Sequence, residues 1–245
     1  MCNMTFDLQS FCRPWDIGFR VEVHDDHPVR NCTFDQHGNM TARNPSRSAD
    51  AQACSDHLRW HKRGGPFISF FTNWNAALQR WRWMVKKKGV TKVIIVAVWL
   101  EGLPRVYDAF LMARALRFED RQLDLYLPEV LVDGGISADS YRVLTIFHGK
   151  QLAEIALSVD GLTMMVEIPG DFVADVLDRT LIGIRHRPDP SNKLRDEVYV
   201  HTGTRDDLKF LTLALSIGNV EYISESNNAN TRITCPFLGI EWHFT

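Results

Sequence analysis

The sequence predicts an α+β protein, and three observations carry that prediction. Residues 17–24 (Ile-Gly-Phe-Arg-Val-Glu-Val-His) alternate apolar and polar, the pattern of a half-buried strand. Trp74, Ala77, Leu78, Trp81, Met84 and Val85 recur at helical spacing, the pattern of a helix that buries one face. Val93 to Trp99 is a continuous apolar run of strand length, as expected of a strand buried on both sides.

The remaining elements follow in chain order. On the first strand Arg20 and Glu22 share a face, because successive side chains of a strand point to opposite sides. From Asp25 to Gly65 the chain is polar and reads as loop, with a short helix near Ala49 to His61. Pro66 to Phe71 is an aromatic-rich strand, and Thr72 or Asn73 can cap the helix after it. Gly89 is expected to end that helix, with Lys86, Lys87 and Lys88 at its dipole-negative end. Residues 107–117 predict a further helix, Leu127 to Ile136 a strand closed by a Gly-Gly turn, and Tyr141 to Phe147 another strand. Beyond His148 the pattern predicts a strand near Met164 to Ile168, a helix near Asp171 to Leu181 and a polar loop over Arg185 to Arg195. Glu197 to Thr204 opens with a pattern close to that of Glu129 to Ile136. A helix over Asp206 to Ser216, a loop at Asn227 to Asn230 and an edge strand at Ile240 to Phe244 complete the reading.

Bulk properties narrow the function classes. A chain of 245 residues suits one large domain or two small ones, and 45% hydrophobic with 24% charged residues describes a folded domain. A formal net charge of −2 gives no electrostatic reason to expect nucleic acid or an anionic membrane as partner. The longest apolar run, Val93 to Leu100, is far short of a membrane span. Five scattered cysteines without a C-x-x-C pair suggest reduced thiols. The first ten residues lack a basic n-region and an apolar h-region, so a cytoplasmic setting is expected, although a mature secreted form would begin no differently.

Three segments, in order, resemble the ADP-ribosyltransferase superfamily. They are Phe19-Arg20-Val21-Glu22, Phe67-Ile68-Ser69 and Glu129-Val130-Leu131-Val132-Asp133-Gly134-Gly135-Ile136. The resemblance is strongest to the arginine-serine-glutamate class that includes cholera toxin and heat-labile enterotoxin A chains, and a fungal domain family is similar. It implies a split β-sandwich with flanking helices over residues 1–148, followed by a C-terminal α+β lobe over 149–245. It also implies NAD as substrate, cleaved at the nicotinamide–ribose bond, with ADP-ribose passing to a protein acceptor or to water. By this resemblance Glu129 is the catalytic acid, and Arg20 meets the pyrophosphate or nearby ribose. Ser69 would orient Arg20 and Glu129, and Glu22 would contact the adenosine side; from proximity in sequence alone, Phe71 or Trp74 is expected to stack on nicotinamide. The residue types suit the chemistry: a fixed carboxylate stabilises oxocarbenium character, and a guanidinium presents a planar donor fork to phosphate.

The sequence also departs from the class. The expected Ser-Thr-Ser reads Ser69-Phe70-Phe71, and the position two before the glutamate is Leu127 rather than Glu or Gln. An apolar side chain there cannot orient a guanidinium acceptor, which argues against transfer to arginine. A module that keeps the fold without turnover is the alternative from another class. Glu197 is a rival for the acid, but it would stretch the serine–glutamate spacing beyond a compact domain. Cys54, His57 and His61 have a spacing that could share zinc, yet no second ligand pair is evident beyond His24 and His27, so no metal is expected.

Overall fold

The computed structural model describes residues 6–23, 32–35, 37–60, 64–87, 92–172, 189–220, 223–227, 230–235 and 240–244. Its centre is a six-stranded, wholly antiparallel sheet. In spatial order the strands are β6 (Val106–Asp108), β7 (Glu129–Asp133), β4 (Phe67–Phe71), β1 (Ile17–Val23), β5 (Val93–Trp99) and β9 (Val143–His148). A small sheet of β2 (Cys32–Phe34), β3 (Met40–Ala42) and β8 (Gly135–Ile136) covers one face. The other face carries the helices α1 (Ala51–Leu58), α2 (Trp74–Val85) and α3 (Ala109–Ala115), with α4 (Asp120–Leu123) beside α3. The hairpin β10–β11 (Leu152–Val159 and Leu162–Pro169) and helices α5 (Pro190–Thr202) and α6 (Asp207–Ile217) extend this second layer. Strands β12 (Ile223–Asn227), β13 (Asn230–Cys235) and β14 (Ile240–Phe244) form a separate three-stranded sheet with β14 at one edge. The architecture is α+β.

Strand alternation explains the two faces. Ile17, Phe19, Val21 and Val23 of β1 and Val93, Ile95, Ala97 and Trp99 of β5 pack on α2, α6 and the β10–β11 hairpin. Ile94, Val96 and Val98 point the other way, onto Phe34, Met40 and Ile136 of the covering sheet. Both faces of β5 are therefore buried, which is why its run is apolar without interruption. The first of these apolar clusters draws on residues from both sides of His148.

Several expectations hold with their physical basis visible. Asn73, not Thr72, caps α2, its side chain accepting from Ala76 N at 2.8 Å. The strands at Phe67–Phe71, Val93–Trp99 and Ile240–Phe244 lie where the pattern put them. Others are corrected. The first strand is buried at every position, not half-buried, because layers cover both its sides and its two charges pair with each other. Residues 190–202 are helix, where the sequence suggested loop and then strand. Asp189 caps the helix, Pro190 opens it, and Gly203 closes it in the left-handed conformation, punctuation that outweighs the β-branched alternation of Val198 and Val200. Tyr107 and Asp108 belong to β6, and Asp108 caps α3 by accepting from Leu111 N. The segment read as polar loop contains β2 and β3, and Asn227 and Asn230 end paired strands. The expected helix over 171–181, Gly89, His24, His27 and His61 fall wholly or mostly outside the described residues. No helix among the described residues is long and apolar enough to cross a membrane.

Candidate functional site

The central sheet opens between β1 and β4. These neighbours share one registered pair, Phe19 opposite Phe71, while β1–β5 and β4–β7 are paired along their lengths. Into this opening project Arg20 and Glu22 from β1, Ser69 and Phe71 from β4, Glu129 from β7, and Trp60 and Arg80 from the helical layer. The residues that line the opening are separated along the chain by up to 109 positions (Arg20 to Glu129), and only the strand order brings them together.

Arg20 bridges the opening. Its Nε donates to Glu22 Oε2 at 2.7 Å, and its Nη1 donates to the Ser69 carbonyl at 2.9 Å. The guanidinium thus supplies a ladder bond where the backbone of β1 no longer reaches β4. Arg20 and Glu22 are 5% and 2% exposed, and their charges offset one another at 2.7 Å.

On the far side of the opening a polar contact runs from α1 to β4. Asp50 caps α1, and the last turn of that helix aims His57 at β4, with its Nε2 2.8 Å from Ser69 Oγ. The Ser69 hydroxyl also favours the ionised form of the nearby Glu129 carboxyl. Ser69 and Glu129 are diagonal neighbours on one sheet face, because Phe71 stands opposite Glu129 and Ser69 opposite Leu131. Burial and the charge of Arg20 pull the His57 pKa down to about 4, so the ring is neutral at ordinary pH. Burial pushes the Glu129 carboxyl above its usual range, opposed by the Ser69 hydrogen bond and by Arg20 and Arg80. Which of Ser69 Oγ and His57 Nε2 donates follows the tautomer of the ring.

Most of the residues named from sequence meet here. Arg20, Glu22, Ser69, Phe71 and Glu129 all line one cleft. Trp74 does not. It is fully buried against Phe19 and Phe147, and its indole N–H donates to the Glu167 carbonyl at 2.8 Å. It is core because it opens α2 on the helix face turned to the sheet. Glu197 is also elsewhere, on α5 beside His201 at 3.4 Å. The zinc spacing does not assemble a ligand set. Cys54 is buried in an apolar cluster with its thiol pushed up to about 12, while His57 is turned to Ser69. Among the described residues no cluster of three or more His, Cys, Asp or Glu is placed to hold a metal ion. Cys12 and Cys54 are free thiols.

Three site residues were not assigned to this cleft from sequence: His57, Trp60 and Arg80. For Arg80 a signal existed. Ala77, Arg80 and Met84 follow i, i+3, i+7, so Arg80 borders the buried stripe of its helix. Two larger cavities, about 390 and 260 Å³, flank Phe34 and Ile146 at the β9 edge of the sheet. The cleft between β1 and β4 is smaller, about 30 Å³, yet it gathers the buried, mutually bonded charges. Chemistry rather than size marks it as the candidate site.

No family model matches the sequence, and no curated protein matches it significantly. Among solved structures, the chain is similar to one named EcPltA. The match covers 62% of this chain and 82% of that chain, with a TM-score of 0.40 and 13% sequence identity. The likeness is distant.

Proposed function

We propose that the cleft binds NAD and cleaves its nicotinamide–ribose bond, passing ADP-ribose to an acceptor or to water. The observation that carries this reading is the gathering of Arg20, Ser69 and buried Glu129 in one cleft where the sheet opens, with neutral His57 bonded to Ser69. The order of the three sequence segments around Arg20, Ser69 and Glu129 supports it.

The chemistry is a displacement at the ribose C1′. The C1′–N bond breaks and its electron pair leaves with nicotinamide, which becomes neutral. The ribose gains oxocarbenium character, and the Glu129 carboxylate stabilises that charge from a fixed, desolvated position. Water or an acceptor hydroxyl then forms the new bond to C1′ and gives up its proton. Glu129, with its raised pKa, is suited to receive that proton. Ser69 favours the ionised carboxylate, and Phe71, opposite Glu129, offers a ring face to nicotinamide. Leu127 is 56% exposed two residues before Glu129, so the approach to the acid is apolar and does not favour a guanidinium acceptor.

The test is nicotinamide release from NAD by wild type, Glu129→Gln and Ser69→Ala. Release that falls about 100-fold or more in Glu129→Gln supports the reading, as expected for loss of a charge-stabilising group. An NAD-dependent thermal shift without release would favour the non-catalytic interaction module. No release and no shift would overturn NAD binding altogether.

A further inference from the structure

Two arginines line the cleft, and they are held in different ways. Arg20 is turned inward, donating to Glu22 and to the Ser69 carbonyl. Arg80 lies over the rings of both Trp60 and Trp83, at 4.5 and 4.4 Å from their centroids. Among the described residues its guanidinium donates no hydrogen bond, and the charges acting on it are the attraction of Glu129 and the repulsion of Arg20. The two indoles hold the cationic carbon of Arg80, and its N–H edge is the part that can donate. That edge is the planar fork that matches phosphate oxygens.

The platform under Arg80 is built at a conformational cost. Trp60 has φ +57°, the left-handed region that a bulky residue rarely adopts, and is nevertheless 57% exposed. Its amide donates to the His57 carbonyl at 3.0 Å, and Tyr126 Oη donates to the Leu58 carbonyl just before it. The turn that aims His57 at Ser69 therefore also sets Trp60 at the mouth of the cleft. Lys87 lies over the Trp83 ring at 4.8 Å and adds a second cation to the stack. Strain retained at a site mouth, with an exposed indole as its result, is a sign of a ligand-facing role.

Space points the same way. About 30 Å³ holds a water or two, whereas ligand pockets for drug-sized molecules need roughly 300 Å³ or more. Arg20, Glu22, His57 and Ser69 are tied into hydrogen bonds, so the wall that can yield is the Trp60–Arg80 stack.

We propose that Arg80, carried on the Trp60–Trp83 platform, is the phosphate-binding group of this cleft and receives the diphosphate of the dinucleotide. The assignment rests on the NAD reading for the identity of the ligand, but its chemistry is that of a diphosphate. Arg20 is then the structural arginine of the opening, and Arg80 is the one that meets the ligand. On binding, the guanidinium moves from the field of Glu129 to the phosphates, which leaves the carboxylate to face the ribose.

The experiment is calorimetric titration of the full chain with ADP and with adenosine, using wild type, Arg80→Gln, Arg80→Lys and Trp60→Gly. Wild type is expected to bind ADP more tightly than adenosine. Arg80→Gln should weaken ADP by about 10- to 100-fold, the loss of charge-assisted hydrogen bonds, and change adenosine less than twofold. Arg80→Lys should fall between, because a point charge replaces a fork. Trp60→Gly suits the left-handed backbone, so it should keep its thermal stability and still lose several-fold in ADP affinity. ADP binding that is unchanged in Arg80→Gln, or absent from wild type, overturns the assignment. The two proposals fail separately. Nicotinamide release by Arg80→Gln at the wild-type KM sinks Arg80 alone, whereas Arg80-dependent ADP binding without release sinks NAD cleavage alone.

Discussion

Acidification should weaken the fold through His57. The folded ring has a pKa near 4, against an ordinary value of 6.5. Between these values the unfolded chain binds a proton that the folded chain refuses, so stability rises with pH across the window. It is full above about pH 6.5 and falls as the pH drops toward 4. Each pKa unit is worth ~1.4 kcal/mol, so the window is worth about 3 kcal/mol. Carboxylates titrate in the same range, which a single curve cannot separate. The comparison is therefore urea unfolding of wild type and His57→Gln between pH 7.5 and 4, since glutamine can still donate to Ser69 but does not titrate. The stability difference between the two proteins should shift by about 3 kcal/mol in favour of the variant at low pH. Parallel curves would refute the reasoning, because they would mean that His57 is solvated or already charged in the folded state.

Glu129→Gln should raise the thermal midpoint at pH 7, because a carboxyl whose folded pKa is raised is protonated more readily in the folded state, and its ionised form costs stability as pH rises. Calorimetry checks this at roughly 2–4 °C per kcal/mol for a chain of this size, and a lowered midpoint would contradict it. NAD cleavage by wild type should show an acid limb above the ordinary 4.5 of a glutamate, and a limb at 4.5 or lower would remove burial as the dominant influence. Arg20→Ala should cost about 3–5 kcal/mol in denaturant unfolding by removing the buried cation paired with Glu22, and Arg20→Met with Glu22→Leu should recover much of that loss. Gly18→Ala should cost about 1–3 kcal/mol, since its new Cβ would lie 2.6 Å from Leu100 Cδ1 and 2.9 Å from Phe70 Cβ. A neutral result there would mean that β1 can shift relative to its neighbours.

Much of the core was legible in the sequence because its signals are local. The stripe of Trp74, Ala77, Leu78, Trp81 and Met84 and the run Val93–Trp99 report their own burial. The C-terminal half was harder to read. In α5 the side chains Val198, Tyr199 and Val200 mimic a strand, and only the Asp189–Pro190 start and Gly203 stop reveal the helix. Strand β10 hid because Ala153 and Ala156 blur the alternation that Ile155, Leu157 and Val159 carry.

The site divides along the same line. Arg20, Ser69 and Glu129 sit in short motifs whose order can be read, whereas Arg80 and His57 reach the cleft through the packing of helices on the sheet. No sequence spacing encodes that approach. Trp74 was assigned to the site by proximity in sequence to Ser69, but the cap at Asn73 begins a helix there and turns the indole into the core.

The most direct measurement is the rate of nicotinamide release from NAD by wild type, Glu129→Gln and Glu197→Gln, under conditions where all three are folded. The account predicts release by wild type and Glu197→Gln at similar rates, with a loss of about 100-fold or more in Glu129→Gln. Equal release by wild type and Glu129→Gln, or loss in Glu197→Gln alone, would contradict it.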